Sequence, residues 1–394
     1  MPTPDSSSIV LAVALRTPIG RFGGGLAGIP APELAATVVR RLLDTSGVER
    51  SAISTVILGN ARGAGVGPNP ARQVVRLSDL PDAIPAWTLN QACGSGLRGV
   101  ISGMQSVQLG ESRIVLAGGA ESMSRVPFMV PEARFGHRLG HTRFVDGMYR
   151  DGFLCPLCGL LMGETAENLA ASYGISRAEQ DAYALESQQR AATARREGRF
   201  DAELVPVQRP DGSFVSADEH PRDGVTLDGL ARLPPVFREN GSVHAGNASG
   251  ITDGAAMLLV MTEETAMQTG VEPMARVIAY ATAGVDPRRM GIGPVPAVKQ
   301  VLTRTGLQMG DIDLIELNEA FAVQVLACQR DLDLDLDRVN VNGGAIALGH
   351  PIGATGARIV VTLLHEMRRQ SARRGLATLC VSGGMGLALL VETI

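Results

Sequence analysis

Lysine is nearly absent. Of 36 Lys and Arg residues only Lys299 is a lysine, and 40 Asp and Glu outnumber them, leaving a net charge of −4. No overall positive field is available to gather nucleic acid or an anionic membrane. The lysine shortage reads as a coding bias, because no motif below uses it. Long apolar runs are also missing. Residues 376–391 are uncharged for 16 positions but are interrupted by Ser382, Gly383, Gly384 and Gly386, whereas a membrane-spanning helix needs about 20 mostly apolar residues. Residues 1–8 are polar and carry Asp5 where an export signal carries basic residues. Cysteine is sparse and odd in number: Cys93, Cys155, Cys158, Cys328 and Cys380. That excludes a disulfide framework and leads to the expectation of a reduced, cytoplasmic compartment in which thiols are free to react.

What remains is an ordinary globular composition, 45% hydrophobic and 19% charged over 394 residues, enough for two or three domains. Short apolar runs at 9–15, 56–58, 114–117 and 376–381 read as buried strands. Periodic stretches at 33–43, 97–109, 177–196 and 357–367 read as helices. The alternation predicts an α/β fold with largely parallel sheets. The chain also repeats itself. Residues 46–61 (SGVERSAISTVILGNA) align without gaps on 305–320 (TGLQMGDIDLIELNEA) at an offset of 259, with Gly47/Gly306, Ile53/Ile312, Leu58/Leu317 and Ala61/Ala320 identical. Residues 95–100 (SGLRGV) match 355–360 (TGARIV) at an offset of 260. A near-constant offset is what tandem duplication leaves. It predicts two similar halves related by a pseudo-two-fold: residues 1–121 completed by 251–271, and residues 272–394. Residues 122–250 match neither half and read as an inserted loop domain with a long helix.

Four short strings carry chemistry. Cys93 sits in Asn90-Gln-Ala-Cys-Gly-Ser-Gly-Leu-Arg98, between a strand-like segment and a helix. A helix start favours thiolate, so a lowered thiol pKa is expected there, and the glycines allow backbone N–H groups to approach an oxyanion. His350 precedes the helix that the duplication pairs with the one after Cys93, so the pseudo-two-fold brings both helix starts to a shared centre and makes His350 a base for Cys93. Cys380 ends an apolar strand ahead of Val-Ser-Gly-Gly-Met-Gly386 and suits proton transfer at carbon. Asn318, in Asn318-Glu-Ala-Phe-Ala322, can orient a water or an oxyanion.

Together these strings resemble the thiolase family over nearly the whole length. Further matching pieces are Arg16-Thr-Pro-Ile-Gly-Arg21, Asn69-Pro-Ala-Arg-Gln73, Ala117-Gly-Gly-Ala-Glu121, Met162-Gly-Glu-Thr-Ala-Glu-Asn168, Asp218-Glu-His-Pro-Arg222, Ala245-Gly-Asn-Ala-Ser-Gly250 and Met290-Gly-Ile-Gly-Pro294. The resemblance implies a five-layer αβαβα sandwich of two duplicated halves with an inserted loop domain that binds coenzyme A and makes oligomer contacts. It implies Cys93 as acyl-accepting nucleophile, His350 as its base and an oxyanion donor, and Cys380 as acid/base at the α-carbon. Asn318 would hold the water that completes one oxyanion hole with His350. The backbone N–H groups of Cys93 and Ser382 would form the other. Arg222, Ser249, Met290, Ala320 and Phe321 would line the coenzyme A path. The implied reaction is reversible Claisen condensation and thiolysis of 3-ketoacyl-CoA, with acetyl-CoA and CoA as small-molecule partners. No cofactor, metal, nucleic acid or membrane is implied, and the assembly would be a homodimer or homotetramer.

Two positions depart from the family pattern. Ser382 stands where most relatives carry the first Gly of a Gly-Gly-Gly run. Leu161 stands where acetoacetyl-type members usually carry His, which leaves room for longer 3-ketoacyl chains. The set His137, His141, Cys155 and Cys158 has zinc-ligand types but reads as surface His and packed Cys. The Asp-Leu alternation at 331–337 lacks the Gly and Glu of a calcium loop and reads as a solvated connection ahead of a strand at 339–341. The arginines at 368–369 and 373–374 have no aromatic interleaving and read as a charged helix end. Two rivals share this fold: a decarboxylating ketosynthase, which uses Cys with His partners, and a non-catalytic lipid carrier. The second cysteine disfavours the first, and the intact four-residue set disfavours the second.

Overall fold

The computed structural model describes residues 8–394. Residues 1–7, on which most of the expectation about an export signal falls, lie outside the described residues. The strands are β1 (Ile9–Arg16), β2 (Thr55–Gly59), β3 (Ala86–Leu89), β4 (Ile114–Ser122), β5 (Thr252–Thr262), β6 (Pro273–Gly284), β7 (Leu314–Leu317), β8 (Arg374–Val381) and β9 (Met385–Glu392). The main helices are α1 (Ala31–Ser46), α2 (Pro70–Leu77), α3 (Ser95–Gln108), α4 (Met162–Tyr173), α5 (Arg177–Arg196), α6 (Pro294–Thr305), α7 (Ala322–Leu332) and α8 (Ile352–Gln370). Every strand and helix expected in the second paragraph above is present.

The duplication is visible in the pairing. Outward from one joint the order is β1-β5-β4-β2-β3, and from the other side of that joint it is β6-β9-β8-β7. At the joint, Val10, Leu11 and Ala12 of β1 run antiparallel to Arg276, Ala275 and Pro273 of β6. With the short strand Gly20–Arg21 on β5 the ladder counts ten strands. Only β2 with β3, β2 with β4, and β7 with β8 pair in parallel. The expectation of largely parallel sheets is therefore corrected. The apolar runs are continuous because both faces of each ladder are covered, and burial of this kind hides strand direction.

Alternation along the strands sorts the core into layers. Ile114, Leu116 and Ala120 of β4 pack with α1 and α2. Val115 and Ala117, on the opposite face, pack with α3, α8 and the inner residues Ala377, Leu379, Leu387 and Leu389 of the second ladder. The outer face of that ladder, with Leu376, Ala388 and Leu390, is covered by α6 and α7. Helix, sheet, helix, sheet and helix give five layers, with α3 and α8 in the middle one. The repeated Gly47 and Gly306 end α1 and α6 in the left-handed conformation at φ 67° and 69°, the common helix stop for which glycine pays no Cβ penalty.

The middle layer depends on close backbone approach. A Cβ at Gly96 would lie 2.7 Å from the Ala357 nitrogen and 3.0 Å from the Ala354 oxygen, and one at Gly356 would strike the backbone of Leu97. These glycines are partners in the internal repeat. Residues 122–250 form small ribbons and the helices α4 and α5, with Ser176 and Glu179 closing the start of α5 by reciprocal capping. Arg16 of β1 anchors this segment through buried ion pairs to Glu203 (2.6 Å) and Asp218 (2.7 Å). The strand expected at 339–341 is reduced to a single bridge from Val339 to Ile315. Asn340 adopts φ 48°, and its side chain, not its backbone, pairs with the N–H and C=O of Leu317.

Gly356→Ala should lower stability by about 1–3 kcal/mol through overpacking, read as a reduced denaturant midpoint. An unchanged midpoint would show that α3 and α8 have slack.

Candidate active site

Cys93 stands two residues ahead of α3, and His350 two residues ahead of α8. Contact between the two helices therefore carries both side chains into one cavity of about 480 Å³, which Cys93, His350, Cys380 and Ser382 all line. The turn before α3 is strained: Ala92 holds φ 46°, costly for a residue with a Cβ. Ser95 keeps it closed, its Oγ accepting from the Gln91 N–H at 2.9 Å and donating to the Ala92 carbonyl at 2.7 Å.

Burial pushes the Cys93 thiol up, opposed by the backbone N–H groups of Ser382 and of Cys93 itself and by the Arg62 guanidinium, with Glu121 adding to the rise. The lowered thiol pKa expected from the helix start is thus corrected, because desolvation outweighs the N–H groups and the Arg62 charge that oppose it. The resting thiol is neutral and needs a base. The two N–H groups aimed at its sulfur are those named above as one oxyanion hole.

His350 is buried, and its N–H donates to the Gly250 carbonyl at 3.0 Å. Its Nδ1 lies 2.6 Å from Thr355 Oγ1, which in turn donates to the Pro351 carbonyl at 3.0 Å. With that hydroxyl proton spent, Nδ1 carries the hydrogen and Nε2 presents a lone pair. Nε2 is buried without a protein partner. Burial, then Arg358 and Arg62, push the imidazole down to about 3, so it is neutral at pH 7.

Cys380 is buried near the end of β8, and its thiol is held well above the ordinary range by burial, with the nearby Cys93 adding to the rise. The turn that follows tolerates Ser382. Positive φ falls on Gly383 (87°) and Gly384 (83°) and not on Ser382. Asn318 continues the β7 ladder, its N–H donating to Thr378 at 3.0 Å, and its Oδ1 and Nδ2 are both buried without a partner. Asn318 is not itself part of the cavity wall, although Ala320 and Phe321 are.

Arg222, Ser249, Met290, Ala320 and Phe321 all line the same cavity, as does Leu161. The Ser249 N–H donates to Ala320 at 3.0 Å, and Phe237 stacks edge-on against Phe321 at 6.2 Å. The zinc-type set is not gathered. His137 is exposed with Nε2 on the Gly140 carbonyl, and Cys155 is buried. Among the described residues no three His, Cys, Asp or Glu side chains are placed to hold a metal ion.

Sequence reasoning missed Thr355, Glu121 and Arg62. Glu121 is fully buried and accepts from Asn60 Nδ2 (2.8 Å) and the N–H groups of Ala61 (3.0 Å), Arg62 (3.1 Å) and Gly353 (2.9 Å). It thereby ties the start of α8 to the loop after β2. An acid closing the apolar run of β4 was the available signal for Glu121. Arg62, in a Gly-rich loop, offered none.

The depressed imidazole has a thermodynamic consequence. Above the unfolded pKa of about 6.5 both states leave His350 neutral; below it the unfolded chain takes a proton that the fold refuses. Stability should therefore fall as pH drops from about 6.5 toward 3, by up to about 1.4 kcal/mol per pH unit from this residue. In His350→Asn that part of the acid slope should vanish in chemical denaturation across the range. An equal slope in both proteins would reject the assignment.

Comparison with known proteins agrees with this geometry. The family model described as "Thiolase, N-terminal domain" matches residues 9–264, and "Thiolase, C-terminal domain" matches residues 271–393. The chain is 52% identical over 388 residues to an acetyl-CoA acetyltransferase of Chromobacterium violaceum, covering 98% of this chain and 99% of that one. It superposes on the crystal structure of the Bacillus anthracis acetyl-CoA acetyltransferase with a TM-score of 0.96 at 44% identity, covering 98% and 99% of the two chains. It superposes on human mitochondrial 3-ketoacyl-CoA thiolase in complex with CoA with a TM-score of 0.95 at 40% identity, covering 98% of each. Two family models spanning nearly the whole chain, with full-length relatives near half identity, leave one conclusion: the chain belongs to the thiolase family.

Proposed function

We propose that this chain is an acyl-CoA thiolase, reversibly cleaving 3-ketoacyl-CoA and condensing acetyl-CoA through an acyl group on Cys93. The observation that carries the reading is one cavity walled by two thiols and one neutral imidazole, with an unspent imidazole nitrogen.

In thiolysis His350 Nε2 takes the Cys93 proton, and the sulfur attacks the 3-keto carbon. The developing oxyanion sits on the N–H groups of Cys93 and Ser382, where each well-placed donor supplies about 2.7–4 kcal/mol. The C2–C3 bond breaks and its electron pair leaves as the acetyl-CoA enolate, held by His350 and a water on Asn318. Cys380, whose raised pKa keeps it protonated, delivers a proton to that carbon. The thiol of free CoA then gives its proton to the Cys380 thiolate and its sulfur displaces the acyl group from Cys93, which takes back the proton held on His350. Condensation runs the same steps in reverse. A covalent intermediate between two half-reactions implies ping-pong kinetics. The chemistry calls for no resident cofactor or metal.

Arg222, Ser249, Met290, Ala320 and Phe321 would carry the CoA chain, and residues 122–250 would serve as the CoA-binding and oligomer-forming loop domain between halves 1–121 with 251–271 and 272–394. A dimer or tetramer in the cytoplasm, acting in fatty acid metabolism, completes the reading. Leu161 in the cavity wall, in place of histidine, favours acyl chains longer than acetoacetyl.

Cys93→Ala should bring thiolysis to background and abolish the labelled acyl adduct formed with acetyl-CoA. Cys380→Ala should keep that adduct yet lose at least about 10²-fold in condensation, the range for a general acid–base group. Full condensation activity in Cys380→Ala would overturn its role.

A further inference from the structure

Arg62 is the buried charged side chain in the cavity wall that the proposed mechanism leaves without a task. It is 5% exposed, yet it lines the same cavity as Cys93. Its Nη1 donates to the Asp151 carbonyl at 2.8 Å, and its Nε is buried with no partner. Gly152 lies flat against the guanidinium: a Cβ there would fall 2.6 Å from Cζ and 2.7 Å from Nε. Among the described residues no carboxylate oxygen comes within 4.0 Å of its nitrogens. Glu121 feels the Arg62 charge, but its two oxygens accept from Asn60 Nδ2 and the backbone N–H groups of Ala61, Arg62 and Gly353, not from the guanidinium. A buried cation that is neither ion-paired nor fully hydrogen-bonded is expensive to keep.

Its surroundings indicate what could repay that cost. Cys93 packs against the buried cluster Ala61, Met123, Met148 and Ile352, as Phe153 also does, and Phe153, Ile352, Gly152 and Tyr149 line the cavity together with Arg62. An acyl chain carried on the Cys93 sulfur therefore shares its cavity with apolar side chains and a buried guanidinium. A methyl-ended chain gains nothing from that cation and buries it further. A carboxylate gains charge-assisted hydrogen bonds to a planar donor.

We propose that Arg62 is a specificity-determining residue and that the preferred substrates are 3-ketoacyl-CoA thioesters whose acyl chain ends in a carboxylate. The proposal rests on the thiolase reading above and narrows its substrate class. Arg62 then pairs with the ω-carboxylate while Cys93, His350 and Cys380 act on the thioester end.

The test is thiolysis kcat/KM on matched pairs of CoA thioesters, 3-oxohexanedioyl against 3-oxohexanoyl and the eight-carbon equivalents, with wild type, Arg62→Leu and Arg62→Lys. Wild type should favour the dicarboxylic member of at least one pair by about tenfold or more, the worth of a hydrogen-bonded charge. Arg62→Leu should collapse or invert that ratio, chiefly through KM, and Arg62→Lys should restore part of it. Because each ratio is taken within one protein, partial misfolding of a variant cancels. A wild-type preference for the methyl-ended member of both pairs, or a ratio unchanged in Arg62→Leu, overturns the proposal while leaving the thiolase reading intact. Failure of wild type to cleave any 3-ketoacyl-CoA, acetoacetyl-CoA included, would strike the thiolase reading itself.

Discussion

The contact between Gly96 and Gly356 sets the geometry of everything else. Two helices from opposite halves approach until a single methyl group would collide with backbone atoms. Interhelical distance depends on the side chains at the crossing, and at these two positions there are none. Cys93 and His350 each precede one of these helices by two residues, so their separation is a property of the helix crossing and not of flexible loops. Glu121 reinforces the arrangement by joining the start of α8 to the loop after β2, a carboxylate at a helix N-terminus where the dipole favours it.

The electrostatics of the cavity are set by burial. Desolvation is the first cause of the shift at Cys93, Cys380 and His350 alike, and in each it favours the uncharged form. The centre at rest is neutral, with its donors and its imidazole lone pair already placed. Charge appears only when substrate chemistry creates it, and fixed N–H groups then stabilise it without reorganising. Arg62 is the exception, a permanent charge beside a neutral triad.

Much of this was legible in the chain. The offset of about 260 residues between two short strings was enough to predict two halves and a shared centre, because glycines at helix stops and at a helix crossing cannot be exchanged cheaply for other residues. The two cysteine strings and the histidine string were legible because each sits beside glycines that admit a ligand, and the asparagine string because it closes the second copy of the internal repeat. Strand direction was not, since strands covered on both faces show no alternation. The direction of the Cys93 shift was misjudged because a helix start is a local feature whereas burial is set by residues far away in sequence. Arg62 was invisible for the same reason: its burial in the cavity wall without a carboxylate in hydrogen-bond range of its guanidinium is a fact of three dimensions. Asn340 deceived the strand reading by supplying with its side chain the pairing that a backbone would have made.

The joint between β1 and β6 has an implication for ancestry. Each strand is long and apolar, and each borders its half of the ladder at the seam. Were the halves separate molecules, both edges would lie open, a template for indiscriminate association. A progenitor carrying one half would have had to cover that edge with another copy of itself, seam to seam, in the antiparallel sense still seen between Val10–Ala12 and Pro273–Arg276. Fusion of two such copies would free each to diverge, one carrying a sulfur before its central helix and the other an imidazole.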